Sequence, residues 1–366
     1  MRVRPKMTPK ERALTALEHR EPDRVPIFEP WIHTIIIEKI LHRPFTGVHD
    51  MIDFYKKLEI DFVPISFGAP KGWRPKFLDD RVFVDEWGRK WRYQKGAIWD
   101  MFGFYIEGTI NTPEKFVEFE FPDPLAPGRI DDLEIALKAV GNEYAVMGGV
   151  DQGIFERAET MVGLEKLLLY MYEKPSFVRK VMEEHYRFSL ELGKSYLDAG
   201  AEFILIGDDI ADNHGPFMPP KLYEEFVHPY CKSLVQSLKK RGAKVIRHTD
   251  GNLKPIMNYI LDMGIDGLHP IQPEAGMDIT EFKRTYGDRL SVVGGVDVAK
   301  LLPLASEDEV EKEVINVIRK VSPGGGHILA STNSLHSFVP DIDKFVKNVL
   351  RYVETAHKYG VYPIKS

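Results

Sequence analysis

The stretch Val245-Ile-Arg-His-Thr-Asp-Gly-Asn252 decides the fold of this chain. Its apolar beginning, at residues 243–246, predicts a buried strand. The strand is followed at once by polar and glycine residues that a hydrophobic core cannot accommodate, namely His248, Asp250, Gly251 and Asn252. A histidine and a carboxylate at this spacing can converge on one metal ion or one proton. In a barrel of alternating strands and helices, the carboxyl ends of the strands carry the chemistry.

Eight short apolar runs, most of them rich in Val, Ile, Leu or Phe, are each followed by polar or glycine residues. Amphipathic helical stretches, such as 221–241 and 307–321, lie between most of them. Strands that alternate with helices predict a parallel sheet, and eight of them predict a closed (β/α)8 barrel of the α/β class. A doubly wound open sheet is the alternative, but no Gly-rich phosphate-binding turn follows the first strand. The predicted strands are 25–28, 61–66, 144–149, 202–206, 244–247, 266–269, 291–295 and 327–330.

Two further elements are predicted around the barrel. Thr8-Pro9-Lys10-Glu11 is a capping box with proline at the first helical position, so an N-terminal helix should run to about His19. About 75 residues separate the second and third strands, far more than an ordinary loop. We expect this insertion, at about 69–143, to lie at the catalytic end of the barrel. Within it, residues 81–93 alternate apolar and polar positions around a turn at 86–88, which predicts a β-hairpin.

Composition excludes several classes of protein. The chain has 366 residues, 43% of them hydrophobic, which suits a single barrel domain over 1–366. A net charge of −6 gives no basic footprint for nucleic acid. No apolar stretch approaches the roughly 20 residues that cross a bilayer, and the N-terminus lacks the apolar segment of a secretory signal. A single cysteine, Cys231, leaves no internal disulfide. We therefore expect a cytoplasmic protein without nucleic-acid or membrane partners; a homodimer is compatible with the sequence.

If the barrel forms, the residues directly after each strand face one pocket. Asp208 and Asp209 are adjacent carboxylates, which repel each other unless a cation, a proton or a hydrogen-bond donor intervenes. We predict that they act in catalysis with His248 and Asp250, and that His248 and Asp250 lie within about 5 Å of each other and of Asp208, Asp209 or Glu29. The predicted substrate-binding residues are Glu29, Trp31, Asn252, His269, Gln272, Asn333 and His336.

Several of these residues have a structural alternative. Asp151 and Asp297, after the third and seventh strands, are equally compatible with helix N-caps. His269 is also compatible with a buried, hydrogen-bonded histidine, and His336 with a surface loop. An aromatic-rich stretch in the insertion fits either the core of a hairpin or the wall of a ligand site; it comprises Trp87, Trp91, Tyr93, Trp99, Phe102, Phe104 and Tyr105.

The chain resembles the uroporphyrinogen decarboxylase superfamily, which contains that decarboxylase and the corrinoid-linked methyltransferases. The resemblance covers nearly the whole length, and its motifs are specific only in combination. It implies a (β/α)8 barrel. The motifs are Thr8-Pro-Lys-Glu-Arg-Ala-Leu-Thr-Ala-Leu17, Asp23-Arg-Val-Pro26, Asp85-Glu-Trp-Gly88, Gly207-Asp-Asp209, His248-Thr-Asp-Gly-Asn252, Gly294-Gly-Val-Asp297 and Pro323-Gly-Gly-Gly-His-Ile-Leu-Ala330.

The two activities leave different marks on family sequences. True decarboxylases carry an N-terminal Met-Arg-Gln-Ala-Gly-Arg run, whose arginines hold the carboxylates of the substrate. The matching stretch here is Phe28-Glu-Pro-Trp-Ile-His33, which has no arginine. A tetrapyrrole with many carboxylates needs several cations, and the predicted acidic rim supplies few. The departure from the family pattern therefore weakens the decarboxylase interpretation.

Methyltransferases of this family that act on coenzyme M hold zinc with a His-x-Cys pair and a distant cysteine. The pair corresponds here to His248-Thr-Asp250, and the distant cysteine aligns with Asn333. Histidine and carboxylates are also a legitimate zinc set. The resemblance therefore implies zinc on His248 and Asp250, in a branch that demethylates aryl methyl ethers or methylamines. The methyl group would pass to a corrinoid carried by a partner protein.

Three functions are compatible with the sequence. The leading hypothesis is a corrinoid-dependent methyltransferase that acts on a small methylated donor. The second is a decarboxylase of a smaller carboxylic acid, in which Asp208 or Asp209 protonates a carbanion. The third is a tetrapyrrole- or corrinoid-binding protein without catalysis. A bound metal would favour the first.

Overall fold

The computed structural model describes residues 6–93 and 103–365. Eight parallel strands form a barrel in the order β1-β12-β11-β10-β9-β8-β7-β2, which confirms the predicted fold, with each predicted strand within two residues of its observed ends. The strands are β1 (Ile27–Phe28), β2 (Phe62–Ser66), β3 (Lys76–Phe77), β4 (Val82–Val84), β5 (Lys90–Arg92), β6 (Phe104–Glu107), β7 (Ala145–Val150), β8 (Phe203–Gly207), β9 (Lys244–His248), β10 (Gly267–His269), β11 (Ser291–Val296) and β12 (His327–Ser331).

Asp61 joins β1 to β2 and so completes the circle of strands. Its backbone N–H donates to Ile27 O at 3.1 Å, and its carboxylate accepts from Ile27 N at 2.8 Å. The Asp61 side chain is fully buried, and the guanidinium groups of Arg12 and Arg24 neutralise it. The join therefore depends on a buried charge cluster, because β1 is too short to form a long ladder of its own.

Helices surround the strands. The capping box at Thr8 is formed as predicted and starts the first helix. The predicted helical stretch 221–241 is two helices, because Pro229 has no N–H to continue the first.

No helix of the described residues has both the length and the apolar composition needed to cross a membrane. The helices are α1 (Pro9–Leu17), α2 (Thr34–Leu41), α3 (Val48–Lys57), α4 (Pro113–Glu118), α5 (Asp131–Val140), α6 (Phe155–Val162), α7 (Leu164–Glu173), α8 (Pro175–Asp198), α9 (Pro220–Phe226), α10 (His228–Lys239), α11 (Met257–Asp262), α12 (Ile279–Tyr286), α13 (Leu301–Leu304), α14 (Glu307–Val321) and α15 (Ile342–Tyr359).

Two hydrophobic layers hold the barrel together. The larger layer lies between the strands and the outer helices. The smaller layer fills the barrel interior, where Phe28, Phe62 and Phe203 pack edge to face, with ring centroids 5.3 and 5.9 Å apart. Ala13 and Leu17 of α1 belong to this inner layer, so α1 closes the amino end of the barrel. The interior is therefore a packed core, and only the carboxyl end is left for a site.

The insertion contains a four-stranded antiparallel sheet in the order β3-β4-β5-β6. The predicted hairpin is its central pair, β4 and β5. Arg89 of its turn donates to Gln152, directly after β7, and Phe104 of β6 contacts Phe338, in the loop after β12. The sheet therefore stands at the carboxyl end of the barrel. Trp87 is buried in the turn of the hairpin, whereas Trp99 and Phe102 lie outside the described residues.

Candidate metal centre

Three side chains from neighbouring strands converge at the carboxyl end of the barrel. The backbone N–H of Asp208, directly after β8, donates to the carbonyl of His248, the last residue of β9. Nε2 of His248 lies 3.6 Å from Oδ1 of Asp209 and 3.8 Å from Oδ1 of Asp250. One ligand atom from each residue lies within 4.8 Å of the other two. Asp209, His248 and Asp250 together are called the acidic-histidine cluster below.

The two loops that carry the cluster are joined by hydrogen bonds from backbone N–H groups. Asp250 N donates to Oδ1 of Asp209 at 3.0 Å, and Asn252 N donates to Asp212 O at 2.8 Å. Gly251 between them has φ +92°, and a Cβ there would lie 2.5 Å from the Asp212 carbonyl oxygen. Only glycine fits this approach of the two loops. The close approach sets how far apart the two carboxylates lie.

The charges of the cluster are not balanced within the protein. Burial and the nearby Arg247 lower the pKa of His248 to about 3, so the ring is neutral. Burial, together with Asp208, raises the pKa of Asp209 to about 6. Burial and the proximity of Asp209 raise the pKa of Asp250 well above its ordinary value. Protons or a cation must therefore accompany the two carboxylates.

The adjacent aspartates Asp208 and Asp209 face opposite ways. Asp208 is almost fully buried and lies behind the cluster. Its Oδ1 accepts from the backbone of Ile154 and Glu156 at the start of α6, at 3.2 and 2.9 Å. Its Oδ2 accepts from Arg247 at 3.1 Å. The structure therefore brings Asp209, and not Asp208, to His248 and Asp250.

Three predicted substrate-binding residues border the cluster. The ring of Trp31 meets the His248 ring edge to face, with centroids 4.7 Å apart. The side-chain amide of Asn333 donates to Oδ2 of Asp250, so Asn333 lies at the site. The side-chain carbonyl of Gln272 accepts from Gly251 N at 2.7 Å. These residues orient the cluster from three other strand ends.

The remaining predicted residues have other surroundings. Glu29 is fully buried and accepts from Ser331 and Tyr352. His269 lies directly behind His248, with their Nδ1 atoms 2.7 Å apart. The side chain of Asn252 caps the following turn by accepting from Lys254 N. The ring of His336 packs between those of Phe338 and Phe345.

Neither Asp297 nor Asp151 is the N-cap of a helix. Asp297 accepts from the backbone of Ala299 and Lys300, at 2.7 and 2.9 Å, and so closes the turn that precedes α13, whose N-cap is Lys300. Asp151 accepts instead from the indole N–H of Trp31 at 3.1 Å. Asp151 therefore fixes a ring that borders the cluster.

Sequence reasoning missed two carboxylates on α6. Glu156 accepts weakly from the backbone of Asp209, at 3.4 Å. Burial and the nearby Asp209 and Asp208 raise the pKa of Glu159 to about 7. Their spacing of one helical turn places them on one helix face, but only the hydrogen bonds between the start of α6 and the Asp208-Asp209 segment show that this face is directed to Asp209. The site is thus more acidic than the strand ends alone indicate.

A family model described as uroporphyrinogen decarboxylase (URO-D) matches residues 98–359, most of the chain. The chain belongs to the URO-D family. The match includes every strand from β7 to β12, and therefore all three residues of the acidic-histidine cluster. This confirms the resemblance seen in the sequence motifs.

Similar curated proteins include both activities of the family. The uroporphyrinogen decarboxylase of Hydrogenovibrio crunogenus is 24% identical over 205 residues, covering 53% of each chain. The methylcobamide:CoM methyltransferase MtaA of Methanosarcina barkeri is 22% identical over 200 residues, covering 55% of each chain. This URO-D family member thus spans about half the length of the curated relatives it matches.

A solved structure of a methyltransferase from Methanosarcina mazei has a TM-score of 0.70 to this URO-D family member, at 17% identity. The likeness covers 97% of this chain and 99% of that one. At this identity it supports the barrel fold and not a reaction. Family members are enzymes, either decarboxylases or methyltransferases, and the identities to the two kinds of relative do not separate them.

Proposed function

We propose that this chain is a metal-dependent methyltransferase, which transfers a methyl group between a small methylated donor and a corrinoid protein. The donor class is an aryl methyl ether or a methylamine. The observation that carries the proposal is the acidic-histidine cluster at the barrel mouth, in which a neutral imidazole faces two carboxylates. Such a set suits a cation better than it suits a polyanionic substrate.

The donor set fits zinc. Among the described residues, no hydrogen-bond donor reaches the buried Oδ1 of Asp250. A buried carboxylate oxygen without a partner is costly, and a metal ion would satisfy it. His248, Asp209 and Asp250 supply the nitrogen and oxygen ligands that zinc accepts, and three protein ligands leave a position for the donor. Bound zinc would polarise the oxygen or nitrogen that releases the methyl group.

The residues around the cluster would position the methyl donor. Trp31 supplies an apolar ring beside His248, and Asn333 holds Asp250 in place. A corrinoid carried by the partner protein would supply the electron pair that bonds to the methyl carbon, and the pair of the broken C–O or C–N bond would stay on the heteroatom. That heteroatom takes a proton, for which the protonated carboxyl groups near the cluster are candidates.

The arginines near the site argue against a substrate with many carboxylates. Arg89, Arg157 and Arg247 are all buried. Arg89 donates to Gln152 and Thr160, Arg157 to backbone carbonyls and Ser189, and Arg247 to Asp208. A polycarboxylate would instead meet the carboxylates of Asp209 and Asp250, which repel it.

A second candidate function is the decarboxylation of a small carboxylic acid. The raised pKa of Asp209 favours it, because a carboxyl group that keeps its proton can serve as the proton donor.

The test combines the zinc-loaded protein with a corrinoid protein reduced to cobalt(I) and a panel of aryl methyl ethers and methylamines. We expect methylcob(III)alamin to form with at least one donor. Asp250→Ala should lower the rate by roughly 10²-fold or more. Asp212→Ala, an exposed change on the neighbouring loop, is the matched control and should have little effect. Decarboxylation of uroporphyrinogen at about 1 per second or faster, without corrinoid methylation, would overturn the proposal.

A further inference from the structure

A buried chain of hydrogen bonds runs from the acidic-histidine cluster across the carboxyl end of the barrel. The Nδ1 atoms of His248 and His269 lie 2.7 Å apart. Nε2 of His269 lies 2.8 Å from the backbone carbonyl oxygen of Ser331. His248 is 6% exposed, and His269 and Ser331 are fully buried. The three residues are the last residues of β9, β10 and β12, so strand register sets the spacing of the chain.

The positions of the protons in this chain follow from what each atom can do. A carbonyl oxygen can only accept, so Nε2 of His269 carries the proton that it shares with Ser331. His269 is fully buried, and its two ring nitrogens contact only the His248 ring and the Ser331 carbonyl, so no anion is present to stabilise a second proton and the ring holds a single one. Its Nδ1 is therefore a bare acceptor. It follows that Nδ1 of His248 carries a proton and donates it to His269.

The other nitrogen of His248 is then fixed as well. A neutral imidazole has one N–H, so Nε2 of His248 is left with a free lone pair. The carboxylate oxygens of Asp209 and Asp250 lie 3.6 and 3.8 Å from it, too far for a hydrogen bond that would hold a proton there. Nε2 of His248 therefore lies beside both carboxylates, close enough to share one cation with them.

We propose that His269 is a positioning residue, which fixes the tautomer of His248 so that Nε2 is presented to a cation. This inference deepens the metal role proposed above and rests on it. His269 would act without touching the metal or the methyl donor. An outer partner of this kind holds a ligand ring in one orientation and removes the cost of choosing a tautomer when the metal binds.

Glu29 extends the same chain by one step. Its carboxylate accepts from Ser331 N at 3.0 Å, from the Ser331 hydroxyl, and from the hydroxyl of Tyr352 at 2.8 Å. These bonds fix the backbone at Ser331, whose carbonyl oxygen orients His269. We therefore assign Glu29 to the support of this chain, in place of the substrate contact expected from the sequence.

Nitrogen-15 NMR of protein labelled at histidine tests the assignment directly, because protonated and bare ring nitrogens have distinct shifts. In the metal-free wild-type protein, we expect Nε2 of His248 to be bare and Nδ1 to be protonated. Loss of the signal set in His248→Ala identifies the residue. A proton on Nε2 of His248 in the wild-type protein would overturn the proposal, and this measurement needs no folded His269 variant.

A pair of variants tests the effect on zinc affinity, measured by competition with a chelator. His269→Phe keeps a ring but removes the acceptor, so it should mix the tautomers of His248 and weaken zinc binding by about 10- to 100-fold. His269→Asn keeps an acceptor near the Nδ1 position and should retain most of the affinity. Unchanged tautomer and affinity in His269→Phe would overturn the proposal.

The control is His327→Phe, which removes another fully buried barrel histidine, one that contacts Ser322 and the Gly294 carbonyl. It should lower stability without altering the His248 tautomer or zinc affinity. The tautomer is read without substrate or corrinoid. A protein with the expected tautomer and no methyl transfer would thus sink the proposed reaction while leaving the positioning role of His269 intact.

Discussion

Arg247 and Asp208 form a salt bridge of 3.1 Å in which neither side chain is more than 1% exposed. The other oxygen of Asp208 accepts from backbone N–H groups at the start of α6. A single carboxylate thus ties β8, β9 and α6 together directly behind the acidic-histidine cluster. This arrangement leaves Asp209 as the member of the Gly207-Asp-Asp209 motif that faces the site.

Asp208→Ala should destabilise the fold. Removal of the carboxylate leaves the Arg247 guanidinium buried without its partner, which typically costs about 3 to 5 kcal/mol. Urea denaturation followed by circular dichroism measures the loss, and Asp212→Ala should stay within about 0.5 kcal/mol of the wild type. Wild-type stability with activity abolished would instead make Asp208 the catalytic group that the sequence predicts.

Zinc affinity should fall at acid pH. Carboxylate ligands bind in their deprotonated form, and the pKa of Asp209 is raised to about 6 in the metal-free protein. Below that pH, zinc affinity should fall by about tenfold per pH unit for each proton that zinc must displace. Chelator competition between pH 5 and pH 8 measures the slope. Asp209→Asn should bind zinc more weakly and with a shallower pH dependence; an equal slope would remove Asp209 from the ligand set.

Glu159 should make the metal-free protein less stable as the pH rises. The unfolded carboxyl group ionises near its ordinary value of 4.5, whereas the folded group keeps its proton to about 7. Between these values the unfolded state binds fewer protons, so stability falls, and above about pH 7 the difference is constant. Relative to Glu159→Gln, the wild type should lose roughly 2 kcal/mol across this window, less than the full shift because the side chain is partly exposed. Glu165→Gln, at an exposed position on α7, should show no such trend.

Gly251→Ala should damage the cluster as well as the fold. Gly251 and Gly264 both have positive φ, at +92° and +78°, but only Gly251 has a backbone oxygen, that of Asp212, where a Cβ would go. Gly264→Ala should cost about 1 kcal/mol from backbone strain alone. Gly251→Ala should cost more and should also weaken zinc binding, because it separates the loops that carry Asp209 and Asp250. Equal effects of the two changes on stability and affinity would contradict this account.

Most of the barrel was predictable because parallel strands buried on both faces leave continuous apolar runs in the sequence. The run that ends at Gly207 is of this kind, whereas Lys244 and Arg247 interrupt the shorter apolar run of the strand that ends at His248. The break at Pro229 was missed, since the amphipathic pattern continues through it. Glu156 and Glu159 were also missed, because nothing in their own helix distinguishes a face directed at Asp209 from one directed at solvent.

The sequence by itself determined that His248 and Asp250 share a strand end, because their spacing along β9 and its loop is covalent. Only the tertiary structure decided which aspartate after β8 would join them. Side chains alternate direction along a strand. The register that pairs Gly207 with His248 places Asp208 beside Arg247 and leaves Asp209 facing the histidine. Register depends on contacts between segments far apart in the chain, and a local pattern of residues does not contain it.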